Sequence, residues 1–317
     1  MSFPGLPQPA PGELLLVCAC YEEGEARWGG LLGEIAGRRE GDVVVLPGGG
    51  VRLRLAEGRG WDHLHGGNVP ALVPALVPDG GPVPPVAVLA DSSVVHGGDG
   101  PLLVDLAATP GRGVRVPSAR LGEILAGLLD GALTFDDLVR AMDAYGMYQG
   151  DGGRPAFPTP TDPPRGAFPA LPATAGALLV RTFFDDEEGW RALLAELGGT
   201  DEDGWVGAGL DPDEIDVQHY PLEALVVDAP AFEGLLPGQV PALVPPGEHA
   251  TVVALADAGT FAAPGRPLTV VDLYDTPGQS TVLPCRDVGS LVCNLAIGNM
   301  DFHEFVAVEG TTPWWEE

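Results

Sequence analysis

Hydrophobic residues fall along this chain in two rhythms, one of strands and one of helices, and each pairing of the two occurs twice. An unbroken apolar run, LLLVCACY from Leu14, predicts a buried strand. Directly after it Trp28, Leu31, Leu32 and Ile35 stand at the i, i+3, i+4, i+7 spacing of a helix face that packs on a sheet. The pair recurs as LLVRTFF from Leu178, followed by Trp190, Leu193, Leu194 and Leu197 at the same spacing, so both tryptophans are expected to anchor a core. DVVVLP and VRLRLA, split by Gly48, Gly49 and Gly50, predict two strands joined by a loose turn. Because the run after those glycines alternates like a strand, and neither GxGxxG nor GxxxxGK fits, the loop is not a phosphate cradle. The string VPALVP at 73–78 returns at 240–245, where its proline spacing suits a bend or short helical turn. Strand patterns follow at 86–89, 102–106 and 114–116, and again at 252–255, 268–273 and 281–283; short links make each set an antiparallel meander.

The strongest internal match pairs DLAATPG at Asp105 with DLYDTPG at Asp272, Pro117 with Pro284, Gly122 with Gly289, Gly131 with Gly298 and Phe135 with Phe302. This is a diverged tandem duplication. Leu121, Ile124, Leu125 and Leu128 form a helix face that Val288, Leu291, Val292 and Leu295 repeat. Gly131 and Gly298 are placed to end those helices in a left-handed conformation. Thr134 with Asp137, and Asp301 with Glu304, have the spacing of a capping box, and Leu133 with Leu138, like Met300 with Phe305, that of a hydrophobic staple. The fold class expected is α+β, two tandem repeats that are each a mixed, largely antiparallel sheet with flanking helices. The boundaries are a Pro-rich tail at 1–11, repeat one at 12–150, a Pro-rich linker at 151–173 and repeat two at 174–317.

Subtracting the shared framework leaves polar residues found only in repeat two. Tyr274 and Asp275 face Ala107 and Ala108, Asn294 faces Gly127, Asn299 faces Ala132 and His303 faces Asp136. With Asp272 they form the candidate binding set, Asp272, Tyr274, Asp275, Asn294, Asn299 and His303, although Asn294 serves equally well to tie down a loop.

Charge alters the picture more than composition does. A net charge of −29 repels nucleic acid and anionic membranes and favours a cationic protein partner; the same acidity also serves solubility. Every cationic side chain is Arg, which removes lysine chemistry: no Schiff base, no Ser/Lys dyad, no phosphate-loop lysine. Cys18, Cys20, Cys285 and Cys293 make no CxxC, His63 and His65 lack a second ligand cluster, and His303-Glu304 begins an HExxH that fails at Ala307. No GxSxG occurs. The acids at 185–188 open a helix, where they complement its dipole, and DPDEID at 211–216 lacks the glycine and final glutamate of a calcium loop. No metal, no cofactor and no catalytic residue is expected. A start without a basic and apolar leader, together with free thiols, points to the cytoplasm.

The segments LLVRTFFDDEEGWRALL, LTVVDLYDTPGQ and NLAIGNMDFHEF resemble an uncharacterised domain-of-unknown-function family common in actinobacteria, most closely in repeat two. Repeat one is similar through PLLVDLAATPGR and DAYGMYQG, whereas repeat two replaces that ending with VEGTTPWWEE. The resemblance implies a shared fold and brings no catalytic residues; such a source also fits the Arg, Ala, Gly and Pro bias. Function is therefore expected to be non-catalytic binding or regulation, immunity-like in one version, through an acidic surface, with Trp314 and Trp315 as contact candidates. The rivals are an enzyme of unrecognised class using Asp272, Asn294, Asn299 and His303, and a structural pseudo-dimer scaffold.

Overall fold

The computed structural model describes residues 3, 6–47, 50–70, 72, 84–94, 100–150, 168–207, 220–245 and 250–307. In repeat one the strands are β1 (Glu13–Cys18), β2 (Arg38–Glu40), β3 (Val43–Val45), β4 (Arg52–Ala56), β5 (Val86–Ala90), β6 (Leu102–Asp105) and β7 (Gly113–Arg115). Helix α1 (Tyr21–Glu34) follows β1, and α2 (Leu121–Asp130) and α3 (Phe135–Arg140) close the repeat. Repeat two has β8 (Ala177–Arg181), α4 (Glu187–Glu196), β9 (Trp205–Val206), β10 (Ala224–Val227), β11 (Val252–Ala256), α5 (Ala258–Ala262), β12 (Leu268–Asp272), β13 (Ser280–Leu283) and α6 (Val288–Ala296).

The sheet orders are β2-β3-β4-β1-β5-β6-β7 and β13-β12-β11-β8-β10-β9. Both meanders are antiparallel as expected, β5 to β7 and β11 to β13, and so is the β3–β4 pair. The first strand of each repeat is the exception. β1 lies between β4 and β5, and β8 between β10 and β11, parallel to both neighbours. A strand with an apolar run buried on both faces, and its one charged residue at an end (Glu13 in β1, Arg181 in β8), suits that central parallel position.

Alternation along β1 and β8 divides each repeat into three layers. Leu14, Leu16 and Cys18 face a core with Trp28, Leu31 and Leu125, while Leu15 and Val17 face one with Trp61, Leu64 and Val69. Ala177 and Leu179 face Trp190, Leu291, Phe302 and Phe305, while Leu178 and Val180 face Phe232, Leu235 and Val240. Helices thus cover one face of each sheet, and short 3-10 turns cover the other. Leu6 joins the 3-10 side of repeat one and Leu171 that of repeat two, so both Pro-rich segments contribute to cores.

Those 3-10 turns revise one pairing. The buried Asn68 and Gln239 side chains each accept from a backbone N–H three residues earlier, at His65 (3.4 Å) and Leu236 (3.0 Å). The equivalent of 240–245 is therefore VPALVP at 69–74, which overlaps the copy at 73–78; the latter lies outside the described residues. DPDEID, Trp314 and Trp315 also lie outside them.

The helix-entry devices fold as their spacing predicts. Thr134 and Asp137 exchange both bonds of a capping box, and Glu304 accepts from Asp301 N–H at 3.0 Å. Gly131 (φ 77°) follows α2, and Gly298 (φ 63°) stands two residues beyond α6.

Candidate functional site

The site is organised by the turn that leaves β6 and β12. At its root a buried aspartate faces inward and caps the chain that follows. Asp105 accepts from the amides of Ala107 (2.9 Å), Ala108 (3.1 Å) and Thr109 (2.6 Å); Asp272 accepts from Tyr274 (2.7 Å), Asp275 (3.2 Å) and Thr276 (2.5 Å). Each turn closes through the same backbone bond, Gly111 N–H to Asp105 O and Gly278 N–H to Asp272 O, both 2.8 Å. Asp272 is thus a turn former present in both repeats. Its complete burial, with the charge of Asp275 nearby, pushes its carboxyl up to about 7 against the pull of the three amides.

Both turns lie where the repeats meet. Gly113 N–H donates to Pro277 O (2.7 Å), the Arg115 guanidinium to Asp275 O (2.7 Å) and the Gln279 amide to Ala144 O (2.6 Å). A Cβ on Gly111, whose φ is 94°, would fall 2.6 Å from the Pro241 carbonyl oxygen; only glycine permits this approach. Tyr274 crosses to repeat one and rests against His65, ring centroids 4.1 Å apart, and His303 rests against Tyr145 at 4.7 Å.

Between these contacts is a crevice of about 30 Å³ walled by Arg115, Tyr145, Asp275, Gln279, Asp301 and His303, with room for about one water molecule. Arg115 is already paired in a fork with Asp91, at 3.1 and 2.8 Å. Asp275 accepts from Phe302 N–H at 3.0 Å and so starts the last 3-10 turn; burial first, then the neighbouring Asp301, raise its carboxyl. Burial also raises the Tyr274 phenol, with Asp275 adding to it.

Of the six sequence candidates, Asp275 and His303 therefore line one crevice, Tyr274 adjoins the contact and Asp272 lies beneath its turn. The asparagines are engaged elsewhere. Asn294 donates to Ser290 O (2.8 Å) and accepts from the Asn299 amide (2.7 Å), a clasp on the end of α6. The four residues of the enzyme alternative do not share a pocket. Among the described residues no three His, Cys, Asp or Glu side chains are grouped to hold a metal, and no helix is long and apolar enough to cross a membrane.

A larger space lies within repeat two, at the amino ends of β8, β10 and β11. This cavity of about 580 Å³ is walled by Trp205, Tyr220, Pro221 and a face of α6 carrying Gly289, Val292, Cys293 and Ala296. Glu223 and Thr251 also border it. None of its residues belongs to the sequence candidates. The available signal was the small-residue face Gly289, Cys293 and Ala296, at i, i+4 and i+7 beside the apolar face of the same helix.

The profile of a family described as a domain of unknown function (DUF6924) matches residues 13–151 and again 176–312. The chain belongs to the DUF6924 family. It carries two DUF6924 copies, as the internal repeat requires, while no curated protein and no solved structure matches.

The two DUF6924 copies differ most at these sites. Arg112 in the first pairs with Asp136 at 3.1 Å, and their counterparts in the second are Gln279 and His303 at the crevice. In the first copy Leu46 packs on the Gly122 face of α2 and is buried; in the second the matching Gly289 face borders the cavity.

Proposed function

We propose that this DUF6924 pair is a non-catalytic binding protein that recognises a cationic protein partner through its acidic surface. The observation that carries this is how the arginines are used. Arg39 is held by Glu57, Arg54 by Glu13, Arg112 by Asp136, Arg115 by Asp91, Arg181 by Glu187 and Asp228, and Arg266 by Glu196. With the arginines neutralised locally, the excess of acids behind the net charge of −29 is left to face outward, which steers and holds a basic surface. The repeat-two polar residues are committed to a turn, a cap, a clasp and ring contacts, an arrangement that favours binding over turnover. Cys18, Cys20, Cys285 and Cys293 form no disulfide, which suits a reducing cytoplasm. Immobilised protein is expected to retain a specific basic protein from source-cell lysate at about 50 mM salt and release it by about 500 mM, where the Debye length is a few ångströms. Retention indifferent to salt, or no specific partner, overturns the proposal.

A further inference from the structure

We propose that the cavity of repeat two is a binding site for a small organic cation with a flat aromatic body, of the arylalkylamine class. Its volume of about 580 Å³ falls in the range of small-molecule sites, roughly 300–1,000 Å³. The wall is apolar for the most part, with two rings, Trp205 and Tyr220, to receive a planar group. Unused polar chemistry sets it apart from a packing defect. Among the described residues none of the side chains of Trp205, Tyr220, Glu223, Thr251 and Cys293 makes a hydrogen bond within the protein, so the polar groups along this wall are open to a ligand or to water.

Charge selects the class of ligand. Among the described residues Glu223 is the one charged residue on the wall, exposed at the border and with no arginine beside it there. An amine can pair with Glu223 and lie near the ring faces, whereas an anion finds no counter-charge there in a protein of net charge −29. The inference is independent of the surface proposal, because a protein partner can bind with the cavity empty.

The probe is tryptamine, compared with neutral indole and anionic indole-3-acetate, titrated into the full chain by calorimetry. Saturable one-site binding of tryptamine is expected, with indole-3-acetate weaker by at least about tenfold. Glu223→Gln should narrow that gap to within about threefold. Ala296→Trp, which fills the cavity from the exposed end of α6, should abolish binding with circular dichroism unchanged. On the unaltered protein, tryptamine should slow alkylation of Cys293 and leave that of Cys20 alone. No saturable binding at millimolar tryptamine, equal binding of the anion, or an alkylation rate at Cys293 that tryptamine does not change would each overturn the assignment.

Discussion

Asp105 and Asp272 show how one residue can fix a turn and set a pH response together. Replacing either by Ala strands three amide N–H groups, one of them buried, and should lower stability by about 3 kcal/mol in urea unfolding. Asp272 titrates near 7 when folded and near 3.8 otherwise, and Asp275 is raised as well. A raised carboxyl keeps, on folding, a proton that the unfolded chain has already released. Its contribution is therefore full below about pH 4 and is lost as pH rises toward 7. Asp275→Asn removes the like charge and still accepts from Phe302 N–H, so it should flatten that decline and raise stability at pH 8 by about 1 kcal/mol; an unchanged slope between pH 4 and 7 would refute the coupling. The thiols follow the same logic. Burial pushes Cys18 up to about 11 and Cys285 up to about 12, so a maleimide at pH 8 should label Cys20 and Cys293 in the native protein and the other two only after unfolding.

Helices α2 and α6 share an apolar face and a glycine at the second position, yet the glycines carry different loads. A Cβ at Gly289 would meet the Tyr220 carbonyl oxygen at 2.0 Å and the Pro221 carbonyl carbon at 2.4 Å, whereas at Gly122 the nearest atom, Pro47 O, is 3.1 Å away. Alanine gains about 1 kcal/mol of helix propensity over glycine at either site. Gly289→Ala should nonetheless cost about 3 kcal/mol because backbone must move, and Gly122→Ala should stay within about 1 kcal/mol of the parent. Equal effects in denaturant melts would show that the close approach at Gly289 is dispensable. At this scale the sequence was most legible. The meanders, the two tryptophan helices, the capping of α3 and the left-handed Gly131 could be read because each depends on neighbours a few residues away. The parallel placement of β1 and β8 could not. An apolar run states that both faces are buried, not which strands lie beside it, and its partners β4, β5, β10 and β11 are distant in sequence. The exposed three-residue strand β2, RRE, carries no apolar alternation at all.

For the whole molecule, the contact between repeats was the least legible feature. It joins Arg115 to a backbone oxygen at 275, Gln279 to one at 144 and Gly111 to Pro241, contacts that no local pattern encodes. The cavity escaped for the same reason, since its wall is gathered from five separate segments of repeat two. Comparison of the copies did single out Asp275 and His303, which line the crevice, because residues confined to one copy show as a difference. Arg115→Leu removes the bond to Asp275 O and leaves the half-buried Asp91 unpaired. It should lower stability by about 3 kcal/mol and split a single calorimetric transition into two as the repeats uncouple. A transition that stays single with a matching van't Hoff enthalpy would mean that other contacts suffice.

Arg112 and Gln279 hold the same place in the same turn, but one forms an ion pair inside its own repeat and the other reaches a carbonyl across the junction. Two identical subunits joined through this turn would need one residue type to serve both roles. Linkage in a single chain lifts that requirement, so mutations on either side can be selected separately and the halves cease to be interchangeable. A hybrid carrying two copies of the second repeat would then juxtapose two surfaces that each lack their complement, and the order of the repeats becomes as much a part of the inherited information as their sequences.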